Sequence, residues 1–259
     1  MLNTLHRLPD LGILVFVLLV LVATVLVAPS VGHRLFRLPE SKERDDAAFD
    51  AFKAIMSMIG VVLAFSLVQA TANLRGIEAI VGKEAGSISA IDRVLLRIDD
   101  PAFARMRPLL AAYGQSVIKD EWPQLAKQRR SDVSEKAYTA LSRAIRSTNV
   151  DSPRQQAMYN ELLKLMDDAA DFREQIIADS ELSLPVFFWV TIIGLISIGF
   201  ALACITTPTL TRRTGLAATT AAVALLLAFV IIVDVPFEGQ TSVSPRAISS
   251  VLMIDARRM

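Results

Sequence analysis

Cysteine occurs once in the 259 residues, at Cys204, and histidine only at His6 and His33. An intrachain disulfide is excluded, and the lone thiol carries no information about redox compartment. No Cys-His or Ser-His-Asp set can be assembled, and no phosphate-cradling glycine loop occurs, so the chain is not expected to be an enzyme. No cofactor or metal is expected either; Asp167, Asp168 and Asp171 read as a solvated helix face, since a hard-cation site gathers six to eight converging oxygens. Charge of one sign is also missing. Against 27 Lys and Arg stand 26 Asp and Glu, which leaves none of the basic excess that binds nucleic acid.

Charge is scarce overall, at 20% of residues against 53% hydrophobic, where a soluble domain carries about 25% charge. The scarcity is localised. Leu11–Gly32 (22 residues), Ala54–Leu74 (21), Leu182–Thr211 (30) and Thr214–Val233 (20) contain no charged side chain. Each is long enough to cross a hydrocarbon core as a helix, which takes about 20 residues. Residues 75–181 hold 16 basic and 17 acidic side chains. The expected fold is all-α: a polytopic membrane protein with four transmembrane helices and a helical extramembrane bundle between spans two and three. The expected divisions are 1–74 for spans one and two, 75–181 for the bundle, 182–233 for spans three and four, and 234–259 for a polar tail.

The first span, Leu11–Ala28, is longer than the apolar core of a signal peptide and reads as a retained helix stopping at Pro29. Span two is followed by Ile77, Ile80, Val81, Ile88, Ile91, Leu95 and Ile98 at helical spacing with no Pro or Gly-Gly break. One long helix is therefore expected to leave the bilayer and continue to about Arg97. It stops at Asp99-Asp100-Pro101, where Asp100 caps the next helix. That helix carries a Phe103, Met106, Leu110, Tyr113, Val117 stripe, and Glu121-Trp122-Pro123 should bend it. Asp132 opens a helix with Val133, Ala137, Leu141 and Ile145 inward; Ser152-Pro153-Arg154-Gln155 opens another, with Met158, Leu162, Leu165, Phe172 and Ile176 on its stripe. Arg212 and Arg213 lie in a hairpin before span four, Gly215–Val233, and Ala247–Ile254 suits a short amphipathic helix.

Several pieces occur in a recognisable order: Gly60-Val61-Val62-Leu63-Ala64-Phe65 in span two, Glu84-Ala85 beyond it, Tyr113 leading to Glu121-Trp122-Pro123, and Asp234-Val235-Pro236-Phe237-Glu238-Gly239 after span four. This order resembles an uncharacterised bacterial membrane family with a bestrophin-like domain of unknown function. The resemblance covers about Ala54 to Ser244 and implies a four-span, helix-rich protein of the bacterial plasma membrane. True bestrophins are anion channels, commonly pentameric, whose second span lines the pore and whose helical region is cytosolic. The resemblance thus implies a homo-oligomer in the lipid bilayer with a small ion as partner; the sequence names no protein partner.

Ser66, Gln69, Asn73 and Gly76 share one face of span two. That face is a candidate pore lining or, equally in keeping with small and polar membrane residues, a helix contact. Phe65 is the one aromatic in this span that matches a pore constriction. Asp234, Pro236 and Phe237 form a candidate gate or, more simply, an interfacial stop and turn. Two functions follow: an oligomeric bestrophin-like ion (anion) channel or transport protein, and alternatively a non-conducting sensor or scaffold whose bundle binds a ligand or partner. The short loops hold seven basic residues (Arg34, Arg37, Lys42, Arg44, Lys53, Arg212, Arg213). Flanking the spans on the other side are Arg7, Arg75, Lys83, Arg173 and Arg246, so the basic excess favours an extracytoplasmic bundle.

Overall fold

The computed structural model describes residues 9–36, 41–98 and 100–256. Expectations resting on His6, Arg7, Arg37 and Asp99 lie outside the described residues. Every regular element among the described residues is helical: α1 (Asp10–Phe36), α2 (Lys42–Arg97), α3 (Pro101–Ala104), α4 (Arg107–Ser116), a π-helical turn (Val117–Glu121), α5 (Trp122–Leu125), α6 (Asp132–Arg146), α7 (Pro153–Asp179), α8 (Val186–Ile205), α9 (Leu210–Val233) and α10 (Arg246–Ala256). Four of them, α1, α2, α8 and α9, are long and apolar enough to cross a membrane. The chain forms two compact units, Met1–Ala72 with Ser183–Ser242 and Asn73–Leu182 with Val243–Met259.

In the first unit α1 packs on α9 and α8, and its core includes Ile13, Ala28, Phe52, Ile59, Leu63 and Ala228. A lipid-embedded segment must satisfy its backbone within itself, which is why these uncharged runs are helices. Three boundaries differ from expectation. The first helix does not stop at Pro29 but passes through it to Phe36. Pro29 removes one backbone donor, yet the next turn is clamped on two sides: Ser30 Oγ accepts from Arg213 Nη2 at 2.8 Å, and Gly32 sits so close to α8 that a Cβ there would lie 1.8 Å from the Cys204 carbonyl oxygen. The second helix begins at Lys42 rather than near Ala54, because Asp45, Ala48 and Phe52 bury an inward stripe at spacings of three and four. The fourth span begins at Leu210, so Arg212 and Arg213 belong to its first turn and not to a hairpin loop.

In the second unit the helical stripe after span two is realised: Ile77, Val81, Ile88, Ile91, Leu95 and Ile98 are buried, and Ile80 is half-buried. Phe103, Met106, Leu110, Tyr113 and Val117 are all buried as well. Asp100 caps α3 by accepting from Ala102 N at 2.7 Å. The bend expected at Pro123 is taken up as the π-helical turn, with Trp122 N–H donating to the Val117 carbonyl. A wide turn just upstream accommodates a residue that lacks a donor and crowds the preceding turn.

The cap of α6 is Ser131, accepting from Ser134 N, instead of Asp132. With that register Ser134, Leu141 and Ile145 point inward, and Val133 is 53% exposed. Ser152 caps α7 by accepting from Gln155 N at 3.2 Å. On α7 Leu162 and Ile176 are buried as expected, joined by Met166, Ala169 and Arg173. Residues 234–259 divide: those to Ser242 belong to the first unit, and α10 packs on α4 in the second, with Ile248 fully buried.

The Gly32 contact is backbone against backbone, so a side chain there cannot be accommodated by a rotamer change. Gly32→Ala should cost about 1–3 kcal/mol or more, the range of overpacked positions, read as a lower melting temperature of the purified protein. Gly60→Ala, whose Cβ would meet nothing within 4 Å, should leave it unchanged.

Candidate functional site

Two features carry chemistry, one in each unit. In the second unit, α2 continues about ten residues beyond Leu74 and brings Glu84 to the bundle interior, 1% exposed. Tyr113 of α4, 1% exposed, donates its hydroxyl to Glu84 Oε1 at 3.0 Å. The Tyr113 ring meets the edge of Tyr138 from α6 at 5.6 Å between centroids, and Tyr138 donates to the Met166 carbonyl at 3.0 Å. Glu121, on the π-helical turn, lies with both carboxylate oxygens 3.0 Å from Arg173 Nε on α7. A second buried pair, Arg107 to Asp92 at 2.6 and 3.3 Å, ties α4 to α2.

Burial disfavours the charged form of an acid, and Glu84 illustrates it. Its carboxyl is pushed up to about 7, first by burial; the Tyr113 hydroxyl opposes the rise, the Glu121 charge adds to it and Arg173 opposes it. Burial likewise lifts Tyr113 well above the ordinary tyrosine range, and the neighbouring Glu84 charge adds to the lift. For Glu121, burial outweighs the Arg173 guanidinium, so its carboxyl is raised too. Arg173 is thus set against two buried carboxyls, with the charge of Arg130 adding a smaller effect at Glu121.

The sequence singled out other residues. Ser66, Gln69, Asn73 and Gly76 do not come together on one exposed face. Ser66 is fully buried and donates to the Val62 carbonyl at 2.9 Å, whereas Gln69 and Gly76 are exposed and Asn73 is half-buried. In the first unit, the face of α2 left uncovered by its own chain is Met58, Val61, Phe65 and Val68, with Phe65 69% exposed. These residues follow a three-four-three spacing, a single helical stripe.

Asp234 forms the C-cap of α9, and its Oδ1 accepts from Leu184 N at 2.7 Å, which joins the end of span four to the start of span three. Pro236 and Phe237 are buried. Gly239 has φ +83°, a conformation that favours glycine, and the residues after it reach Asp10, which accepts from Gln240 N and from the Thr241 hydroxyl.

The Glu84 cluster was not assembled by sequence reasoning, although Glu84, Tyr113 and Glu121 are all among the pieces that carry the bestrophin-like resemblance. What was missing was Arg173, which stands in an ordinary polar helix pattern. Trp122 of the same piece donates Nε1–H to the Val243 carbonyl at 3.1 Å, an anchor for the last segment.

Two outcomes follow from this burial. Because Glu84 binds a proton more tightly folded than unfolded, its contribution is complete below about pH 4.5 and declines as pH rises to about 7. Melting temperature measured from pH 5 to 8 should therefore fall less in Glu84→Gln than in the wild type, the difference amounting to about 2–3 kcal/mol across the range. Arg173→Met strands a buried carboxylate and should destabilise by about 3–5 kcal/mol; pairing it with Glu121→Gln should restore much of the loss in thermal melts.

The bestrophin-like domain family matches residues 18–248. No curated protein matches the chain. Among solved structures the chain is similar to a bacterial bestrophin homolog from Klebsiella pneumoniae, with a TM-score of 0.68 and 11% identity over 93% of this chain and 96% of that one. A point variant of the Klebsiella pneumoniae homolog gives a TM-score of 0.67 and 12% identity over 93% and 97%. At such identities the likeness concerns the fold. With the family matched from residue 18 to residue 248 of 259, and with its four apolar spans and helical bundle, this chain belongs to the bestrophin-like family of membrane proteins.

Proposed function

We propose that this protein is an oligomeric ion channel of the bacterial plasma membrane, with the uncovered face of α2 turned toward the axis of the assembly. The observation that carries the reading is the stripe Met58, Val61, Phe65, Val68, exposed at 57, 57, 69 and 66% on a helix whose opposite face packs into its own chain. Four spans cannot enclose an aqueous path alone, so several copies are needed to make one. Phe65 is the broadest side chain on the stripe and serves as its constriction; a ring of apolar side chains gates by dewetting. Gln69 and Gly76 continue the exposed surface. The stripe contains no charged side chain, so the sign of the permeant ion is set by dipoles and pore width. Family kinship with anion channels favours an anion.

Full-length protein reconstituted in planar bilayers should conduct, Phe65→Ala should raise the unitary conductance, and a chloride gradient should give the reversal potential of an anion path. A protein that assembles yet never conducts over a range of salt and pH would replace this reading with that of a sensor or scaffold. The excess of basic residues at the α1–α2 and α8–α9 ends of the spans supports an extracytoplasmic bundle. In a Cys204→Ser background, a membrane-impermeant thiol reagent added outside should label Thr139→Cys and spare Ser41→Cys; the reverse pattern would put the bundle in the cytosol.

A further inference from the structure

Arg212 and Arg213 are adjacent in the first turn of α9 and have different surroundings. Arg212 is paired with Asp45 at 2.9 Å and with Asp46 at 2.8 Å. Asp45 is also held by Arg44 at 3.1 Å, so the nearby carboxylates are already engaged. Arg213 has no carboxylate among the described residues. Its Nη2 donates to Ser30 Oγ at 2.8 Å, and its Nε is buried without a hydrogen-bond partner. One turn along α1 from Ser30, on the same helix face, His33 also buries an Nε2 without a partner. A guanidinium held in place by a hydroxyl, lacking a counter-charge and standing where spans one and four leave the hydrocarbon, is set up to bind an anion.

A second, independent observation says what kind of anion. Between α1, α2, α8 and α9 lies an apolar cavity of about 240 Å³ lined in part by Phe52, Met56 and Thr220. It is larger than the ~150 Å³ apolar cavities that take up benzene. Thr24 and Ser197 on its lining are exposed, so it opens at the surface of the spans. Hydroxyls in these spans ordinarily donate back to the preceding turn: Thr24 to the Val20 carbonyl, Ser197 to Ile193, and Thr219 to Gly215. Thr220, 7% exposed, forms the α9 wall of this apolar cavity beside Val223. Thr220 follows Arg213 by seven residues, which puts both on one face of α9 about 10 Å apart along the axis. A phosphate and the upper part of its own acyl chain are separated in the same way.

We propose that Arg213, with Ser30 and His33, binds the phosphate of an anionic phospholipid whose acyl chain enters the Thr220 cavity. The absence of a carboxylate partner for Arg213 among the described residues favours a headgroup with net negative charge, such as phosphatidylglycerol, over a zwitterionic one.

The test uses full-length protein reconstituted in vesicles of equal phosphatidylglycerol and phosphatidylcholine with matched chains. After extraction, native mass spectrometry counts the lipids that stay bound. Wild type should retain phosphatidylglycerol in preference, Arg213→Gln should lower that preference roughly tenfold, and Arg213→Lys should keep most of it. Ser197→Phe, which blocks the cavity from its exposed rim, should lower retention with the oligomer unchanged by gel filtration. Equal retention of both lipids by the wild type would overturn the proposal, and so would an Arg213→Gln protein with unaltered preference. If Ser197→Phe retains lipid fully, or if excess inorganic phosphate alone displaces it, the ligand is a free anion and the lipid assignment fails. The readout is lipid retention and does not depend on conduction.

Discussion

Everything in this protein is organised on one helix that does not break. α2 runs for 56 residues, and the same three-to-four spacing buries Phe52, Ile59 and Leu63 in the first unit and Ile77, Val81 and Ile88 in the second. What changes along it is the solvent offered to the other face. Along the span the uncovered side chains are mostly apolar, Met58, Val61, Phe65 and Val68 with Ser57 and Gln69 among them; beyond it they include Arg75, Glu78, Lys83 and Arg93. Backbone hydrogen bonds inside the helix serve both regimes equally, so no cap or turn is required at the boundary.

The polar interior of the bundle is the exception to this economy. Hydrophobic burial would be served better by an apolar residue than by Glu84, since a buried carboxyl keeps its charge only at a cost and here is held half-neutral near pH 7. Glu84, Glu121 and Arg173 come from α2, the π-helical turn and α7, and each is useful only if the other elements are in register. A shift of one residue in any of them would separate a donor from its acceptor and leave a buried charge. Such a cluster therefore contributes specificity of packing to a bundle, as the Arg107–Asp92 pair does between α4 and α2. Pro123 fits the same account: the π-helical turn it accompanies carries Glu121 toward Arg173.

Most of the fold was legible in the sequence because lipid and water impose different compositions. Charge-free runs marked the spans, helical periodicity marked the α2 extension and the Phe103 to Val117 stripe, and Ser-Pro marked the start of α7. The errors concentrate where long-range contacts override a local rule. Pro29 reads as a stop, yet the helix passes it, and the next turn is fixed by the approach of Gly32 to Cys204 and by the Ser30–Arg213 bond. Asp132 reads as a cap with Glu135 at the right spacing, yet Ser131 takes the position one residue earlier and turns Val133 outward. Among candidate site residues, a shared helical face was visible for Ser66, Gln69, Asn73 and Gly76. Which neighbour each meets was not, because that depends on the helices packed against α2.

The two adjacent arginines of α9 show the same limit in electrostatic form. In sequence they are one basic pair that fixes topology. In the fold, consecutive helical residues point about 100° apart, so Arg212 turns to α2 and its carboxylates while Arg213 turns to α1 and a hydroxyl. Asp45 feels burial first, which raises its carboxyl, but the Thr207 and Arg44 hydrogen bonds and the Arg212 charge together carry it below its usual range. That carboxylate is consequently charged and fully committed at neutral pH. Among the described residues no carboxylate meets the second positive charge at this end of the spans, a level at which the surface of a bilayer carries anionic phosphates.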